Sequence, residues 1–198
     1  MAEQQWLMIS AQKQELMIYR VMINILLHHA HLYQFGVLFM KRAHQLQPLS
    51  RQHHLGLNLG YHAKECADNP QDIAKHWQAL SDYMHNLRHH FSIEDNLIVK
   101  SLAPHQTTDP QVAAVLTTMA QQHQALNQLM AQIQAVQDAN SSAITVSQIK
   151  EFANLIYDHV RFEERELFPM VEQYLTEDEL NAIYEASPDN IKHLDEQR

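Results

Sequence analysis

The chain has 198 residues, enough for one domain with an appendage and a core of its own. Acids outnumber bases by 23 to 14, and a formal net charge of -9 argues against a phosphate backbone as partner. The single cysteine, Cys66, excludes an intramolecular disulfide and any cysteine-rich zinc or iron–sulfur site, and it suits a reducing cytoplasm.

Only 3 glycines and 6 prolines interrupt a chain rich in Ala, Leu, Gln, Met and Glu. Those residues favour helix, and the pattern predicts an all-α fold. Residues 1–39 stand apart as an N-terminal helical extension. Their apolar stretch is broken by Arg20, Asn24, His28, His29, His31 and Gln34, which argues against a membrane span. No cluster of positive charge precedes it, so a secretory signal is also disfavoured. Three readings stay open: a helix packed on the domain, an amphipathic helix for a partner, or an extension foreign to the domain, with Met40 as an alternative start.

The punctuation is clear from residue 48. A first helix opens with Ser50 as candidate cap and runs to about Ala67. Pro70 sits in the first turn of a second helix, which Pro104 stops near Leu102. "TTDP" at 107–110 starts a third helix, ending near Asp138 before the loop "NSS" at 140–142. A fourth runs from about Ser147 to Phe168, where Pro169 bends or ends it. "TEDEL" at 176–180 starts a short C-terminal helix capped by Thr176. Four long helices with short links predict an antiparallel up-down-up-down bundle over 40–175, followed by a short helix and tail over 176–198.

The 15 histidines are the unusual feature of the composition. Imidazole is the commonest side-chain metal ligand, so they need sorting. A shift of 69 residues lays "HFSIED" at 90–95 on "HVRFEE" at 159–164, and "HLGLN" at 54–58 on "HQALN" at 123–127. Each half then reads as a helical hairpin with one histidine on its first helix and H-x-x-x-E on its second. Residues four apart share a helix face, so His90 with Glu94, and His159 with Glu163, reach one centre. Two such hairpins would aim His54, His90, Glu94, His123, His159 and Glu163 into the bundle core, around a pseudo-twofold axis. Carboxylates would bridge two metals and imidazoles would cap them. Burying four imidazoles and two carboxylates without a cation would be costly.

Of the adjacent pair His53 and His54, the 69-residue shift selects His54, because Leu57 and Asn58 then match Leu126 and Asn127. His53 is left for the surface or for a supporting role. His62, His76, His85, His89, His105 and His193 have no counterpart under the shift and read as ordinary helix or surface residues. Tyr61 and Tyr83 lie two turns from His54 and His90 on the same faces, where core packing is the ordinary role.

The segments "LSRQHHLGL", "HFSIEDNL", "QQHQAL" and "HVRFEERELFP", in that order, resemble the four ligand-bearing segments of the hemerythrin superfamily, in particular bacterial proteins with the HHE cation-binding domain. The resemblance spans roughly 45–175. It implies a non-heme di-iron centre, oxo- or hydroxo-bridged, held by His54, His90, Glu94, His123, His159 and Glu163. Oxygen-carrying members have a further histidine four residues after the third-helix ligand; here that position is Asn127. The departure weakens simple oxygen transport. It favours binding or sensing of a small diatomic, O2 or NO, or iron handling, with no nucleic-acid or membrane partner. The alternatives are a di-iron enzyme that reduces O2, peroxide or NO or repairs iron centres, and a structural zinc bundle. Closed zinc sites usually use cysteine, which ranks the last lowest.

Overall fold

The computed structural model describes residues 42–138 and 144–192. The expectations for residues 1–39, the 140–142 loop and His193 lie outside the described residues. Among these there is helix throughout and no strand.

A 3₁₀ turn at His44–Leu46 leads into α1, Gln47–Lys64, with Pro48 in its first turn. The helix thus begins three residues before Ser50, which does not cap it. Asn69 caps α2, Pro70–Asn86, accepting from the Asp72 N–H at 2.9 Å. After Leu87 the helix resumes as α3, Arg88–Ile93, passes through a wide π-turn at Glu94–Ile98, and continues as α4, Val99–Leu102. Asp109 accepts from the Gln111 N–H at the start of α5, Pro110–Asp138. Thr145 and Gln148 form a capping box on α6, Val146–Phe162. A second π-turn, Glu163–Leu167, joins α6 to α7, Phe168–Tyr174. The capping box of Thr176 and Glu179 starts α8, Glu177–Ala186, and a short α9 follows at Asp189–Lys192.

Pro169 neither ends nor breaks the fourth helix. In a π-turn each N–H reaches five residues back, and Phe168 N–H bonds Glu163 C=O in this way. The next carbonyl, Glu164, would need the N–H that Pro169 lacks. Arg42 supplies the donor instead, with Nη2 at 2.7 Å from the Glu164 carbonyl. The wide turn and a guanidinium from outside the helix together absorb the proline.

Two apolar clusters build the core. One holds Trp77, Leu80, Leu126, Ile133, Ile149 and Phe152. The other holds Leu49, Ile98, Met119, Leu167, Phe168 and Val171. The chain crosses between them four times, and the direction reverses each time. Leu49 precedes Ala63 on α1, Trp77 precedes Ile98 on the second limb, Val112 precedes Ile133 on α5, and Phe152 precedes Val171 on the fourth. That alternation is the up-down-up-down bundle, with α1 packed most extensively on α6. A polar layer at His53, His90, Glu94, His123, His159 and Glu163 lies at the four crossings, with all six buried.

Gly56, one turn after His53, exists to admit Tyr83. A β-carbon at 56 would fall on the tyrosine hydroxyl and ring, with even Cε1 only 2.9 Å away. Tyr83 is 3% exposed and has no room to retreat. Overpacking of this kind costs about 1–3 kcal/mol, against about 1 kcal/mol gained from alanine's helix preference. Gly56→Ala is therefore expected to lose up to about 2 kcal/mol of stability in urea unfolding.

Candidate metal centre

The four site residues on the second and fourth limbs converge because of helix spacing. His90 and Glu94 are one turn apart, with Nε2 and Oε1 3.0 Å from each other. His159 and Glu163 repeat the pair at 3.0 Å. Each glutamate opens a π-turn, a bulge found mostly at functional sites because it re-aims side chains without ending the helix.

The six groups divide into two quartets that share both glutamates: His53, His90, Glu94 and Glu163 in one, and His123, His159, Glu94 and Glu163 in the other. Each carboxylate gives one oxygen to each side. Glu163 Oε2 lies 2.9 Å from His53 Nε2, and Oε1 lies 3.0 Å from His159 Nε2. Glu94 Oε1 faces His90, and Oε2 is 3.3 Å from His123 Nε2.

These short approaches are mostly not hydrogen bonds. Glu94 Oε2, both Glu163 oxygens, His123 Nε2 and His159 Nε2 are buried without a hydrogen-bond partner, although the pairs lie 2.9–3.3 Å apart. The separations suit a hydrogen bond and the directions do not. The outer ring nitrogens explain why. His53 Nδ1 meets Glu164 Oε1 at 2.7 Å, and His90 Nδ1 meets Gln52 Oε1 at 2.9 Å. His159 Nδ1 meets Gln122 Oε1 at 3.1 Å, and His123 Nδ1 stands 3.3 Å from Asp95 Oδ1. Each partner oxygen can only accept, so Nδ1 carries the proton and Nε2 of the neutral ring keeps its lone pair. His53 Nε2 and His90 Nε2 then face each other at 3.1 Å, a repulsive contact for two neutral rings. A cation held by these donors would relieve it, and the donor set fits a metal ion well: imidazole nitrogen and carboxylate oxygen, with no sulfur.

Without metal, protons must do that work. Burial disfavours the charged His90 ring, but Glu94 and Glu163 outweigh it and hold its pKa up at about 10. His53 and His123 are raised for the same reason, by Glu163 and Glu164 and by Glu94 respectively. Burial likewise opposes ionisation of Glu163, yet the surrounding imidazoles hold it well below the usual carboxylate range. A raised histidine stabilises the fold fully below its unfolded value near 6.5, and that stabilisation disappears as pH rises through the folded value. A depressed glutamate acts above its unfolded value near 4.5 and fails on acidification. The metal-free protein should therefore be most stable between these unfolded values and weaken progressively towards about pH 10. Urea unfolding in chelator across that range measures it. Metal replaces the protons, so the loaded form should keep its stability on the alkaline side.

Five of the expected residues, His90, Glu94, His123, His159 and Glu163, are brought together here. His54 is not. It is exposed, one residue and about 100° round α1 from the cluster, and His53, 2% exposed, occupies the place expected of it. His53 stacks on Phe168, their ring centroids 5.3 Å apart. The 69-residue match of Leu57 and Asn58 to Leu126 and Asn127 misled, because it presumed hairpins of equal length. The two hairpins differ by one residue: His53 precedes His90 by 37, and His123 precedes His159 by 36. A better signal was present in the Gln-His pairs at 52–53 and 122–123, whose glutamines bind His90 and His159.

The orienting acids also follow the repeat. Asp95 and Glu164 each come directly after a shared glutamate and each reaches a histidine of the opposite hairpin. Glu164 is itself gripped by Arg42 Nη2 at 3.2 Å, and burial notwithstanding, His53 and Arg42 hold its pKa down at about 2. Glu164→Gln should lower metal affinity by about 10–100-fold, read by competition with a chelator. Tyr61 is 65% exposed and plays no part, whereas Tyr83 is buried with its hydroxyl unpartnered. Burial and the charges of Glu163 and Glu94 push the Tyr83 phenol pKa upward. His62, His85 and His89 are exposed, and His89 Nε2 donates to the Ala186 carbonyl at 2.7 Å, tying α8 to the bundle. Asn127 is exposed on the rim of a cleft of about 260 Å³ that it shares with Phe91 and Met84.

Comparison with curated proteins and with solved structures gave no match. Residues 41–171 match the family described as Hemerythrin HHE cation binding domain, which covers well over half of the chain and all six clustered residues. No helix among the described residues is long and apolar enough to cross a membrane. With the buried histidine–glutamate clusters lying inside the matched region, the chain is a metal-binding member of the hemerythrin HHE cation-binding domain family.

Proposed function

We propose that the cluster holds two iron ions and serves to bind or sense a small diatomic molecule, O2 or NO. The observation that carries this reading is the sharing of Glu94 and Glu163 between two histidine pairs. It gives each ion two imidazoles and two carboxylate oxygens, fewer donors than the six that octahedral iron prefers. Ferrous iron bound there would supply an electron-rich Lewis acid with coordination positions left over for a small ligand.

The chain's own residues support a small ligand and disfavour a large one. Apolar layers close the site above and below, with Leu126 and Phe152 on one side and Phe162 and Leu167 on the other. Gln52, Gln122, Asp95 and Glu164 fix the four rings from outside, so the donors are oriented before any ion arrives. The cleft at Asn127 ends on Phe91, whose ring lies 4.2 Å from that of His123.

Anaerobic reconstitution with ferrous iron, followed by air or NO, tests the reading. Two irons per chain and a charge-transfer band that appears with gas and reverses on its removal are expected. One iron or none, a preference for zinc at both positions, or a spectrum indifferent to both gases would contradict it.

A further inference from the structure

We propose a second metal site, for zinc or a similar borderline cation, formed by Cys66, Asp72 and His76 where α1 passes into α2. One donor atom from each residue lies within 4.8 Å of the other two. The three supply a sulfur, a carboxylate oxygen and an imidazole nitrogen, a mixture that tetrahedral zinc accepts readily and that the sulfur-free central cluster does not offer.

Local structure holds the three in place. Cys66 follows the last residue of α1 by two positions, and its thiol is buried. Asp72 and His76 lie one turn apart at the start of α2, with Oδ1 and Nε2 3.8 Å from each other. The other carboxylate oxygen, Oδ2, accepts from the Ala67 N–H at 2.7 Å. That bond fixes the link between the helices and leaves Oδ1 on the side of the histidine. In a tetrahedral zinc site with bonds of about 2.0–2.3 Å, donors stand about 3.3–3.8 Å apart. The Asp72–His76 pair, at 3.8 Å, is within about 0.5 Å of the spacing that a nitrogen and an oxygen donor take, and side-chain rotation would complete the triangle.

In the metal-free arrangement the thiol donates to the carbonyl of Ala67 at 3.5 Å. Burial and then the Asp72 charge push its pKa upward, which makes a bare thiolate unfavourable there. A divalent cation reverses this balance: the thiol releases its proton to solvent and sulfur binds the metal as thiolate. The fourth position is open. A cleft of about 400 Å³ reaches His76 and carries His62 and Glu65 on its walls, so water or one of these exposed side chains completes the coordination. The site would pin the α1–α2 connection, independently of what the central cluster binds.

Cys66 is the only cysteine in the chain, which makes the test specific. Iron-loaded full-length protein is titrated with Co2+ and followed in the near ultraviolet, where thiolate-to-cobalt charge transfer absorbs. The expected result is a band that saturates at one equivalent, is displaced by Zn2+, is absent in Cys66→Ser and is weakened by about tenfold or more in affinity in His76→Ala. Zn2+ should also slow modification of the wild-type thiol by a disulfide reagent by about tenfold or more. The sulfur band does not depend on the central cluster, so repeating the titration in Glu163→Ala separates the two sites. No sulfur band at saturating Co2+, or a thiol equally reactive with and without Zn2+, would overturn the proposal.

Discussion

Glu163→Ala protein should retain neither metal ion. Glu163 gives one oxygen to each quartet and is fully buried, so its loss takes a donor and a negative charge from both ions at once. What remains is four imidazoles around one carboxylate, in a layer sealed by apolar side chains. The expected content after reconstitution falls from two ions per chain to fewer than about 0.2, a loss of affinity on the order of a hundredfold or more at each position. The same change should not simply unfold the protein. In the metal-free form His53 loses its strongest ion-pair partner and His90 one of its two, so both rings shift back towards neutral and the alkaline loss of stability should flatten. Metal analysis together with a pH series of urea unfolding separates lost binding from lost fold. Glu94→Ala should behave alike in metal content, because Glu94 bridges the quartets from the opposite hairpin.

The second large effect separates two neighbours. His53→Ala should remove the ion of the His53–His90 side, or weaken it by about a hundredfold, and leave His90 facing an emptied space. His54→Ala, at an exposed position on the same helix, should change metal content and stability by no more than the scatter expected of a surface substitution, about 0.5 kcal/mol. The contrast is sharp because the residues are identical and adjacent. Only their angular position on α1 differs.

That pair also shows where the sequence was informative and where it was not. The helices were legible because their punctuation is strong: Asn69-Pro70, Asp109-Pro110 and the Thr176–Glu179 box each stand where the structure begins a helix. The two H-x-x-x-E motifs were legible because a spacing of four is a property of one helix and needs no knowledge of the rest. His53 was not, because its placement depends on how two helices slide against each other. A one-residue difference in hairpin length changes which of two adjacent histidines turns inward. Pro169 does not end the fourth helix, for a related reason. Its tolerance comes from the wide turn before it and from Arg42, 122 residues distant from Glu164 in sequence. Asp95 and Glu164 were visible as a repeated acid after each glutamate, but the ring each one orients belongs to the other hairpin.

The central claim is that two cations sit side by side, each between one histidine pair and both glutamates. Anomalous diffraction from crystals of the iron-reconstituted protein tests it most directly. The expected map has two peaks about 3.5–4 Å apart, one bonded to His53 and His90 and the other to His123 and His159, with Glu94 and Glu163 spanning both. A single peak, or a peak bonded to His54 with His53 turned away, would contradict it.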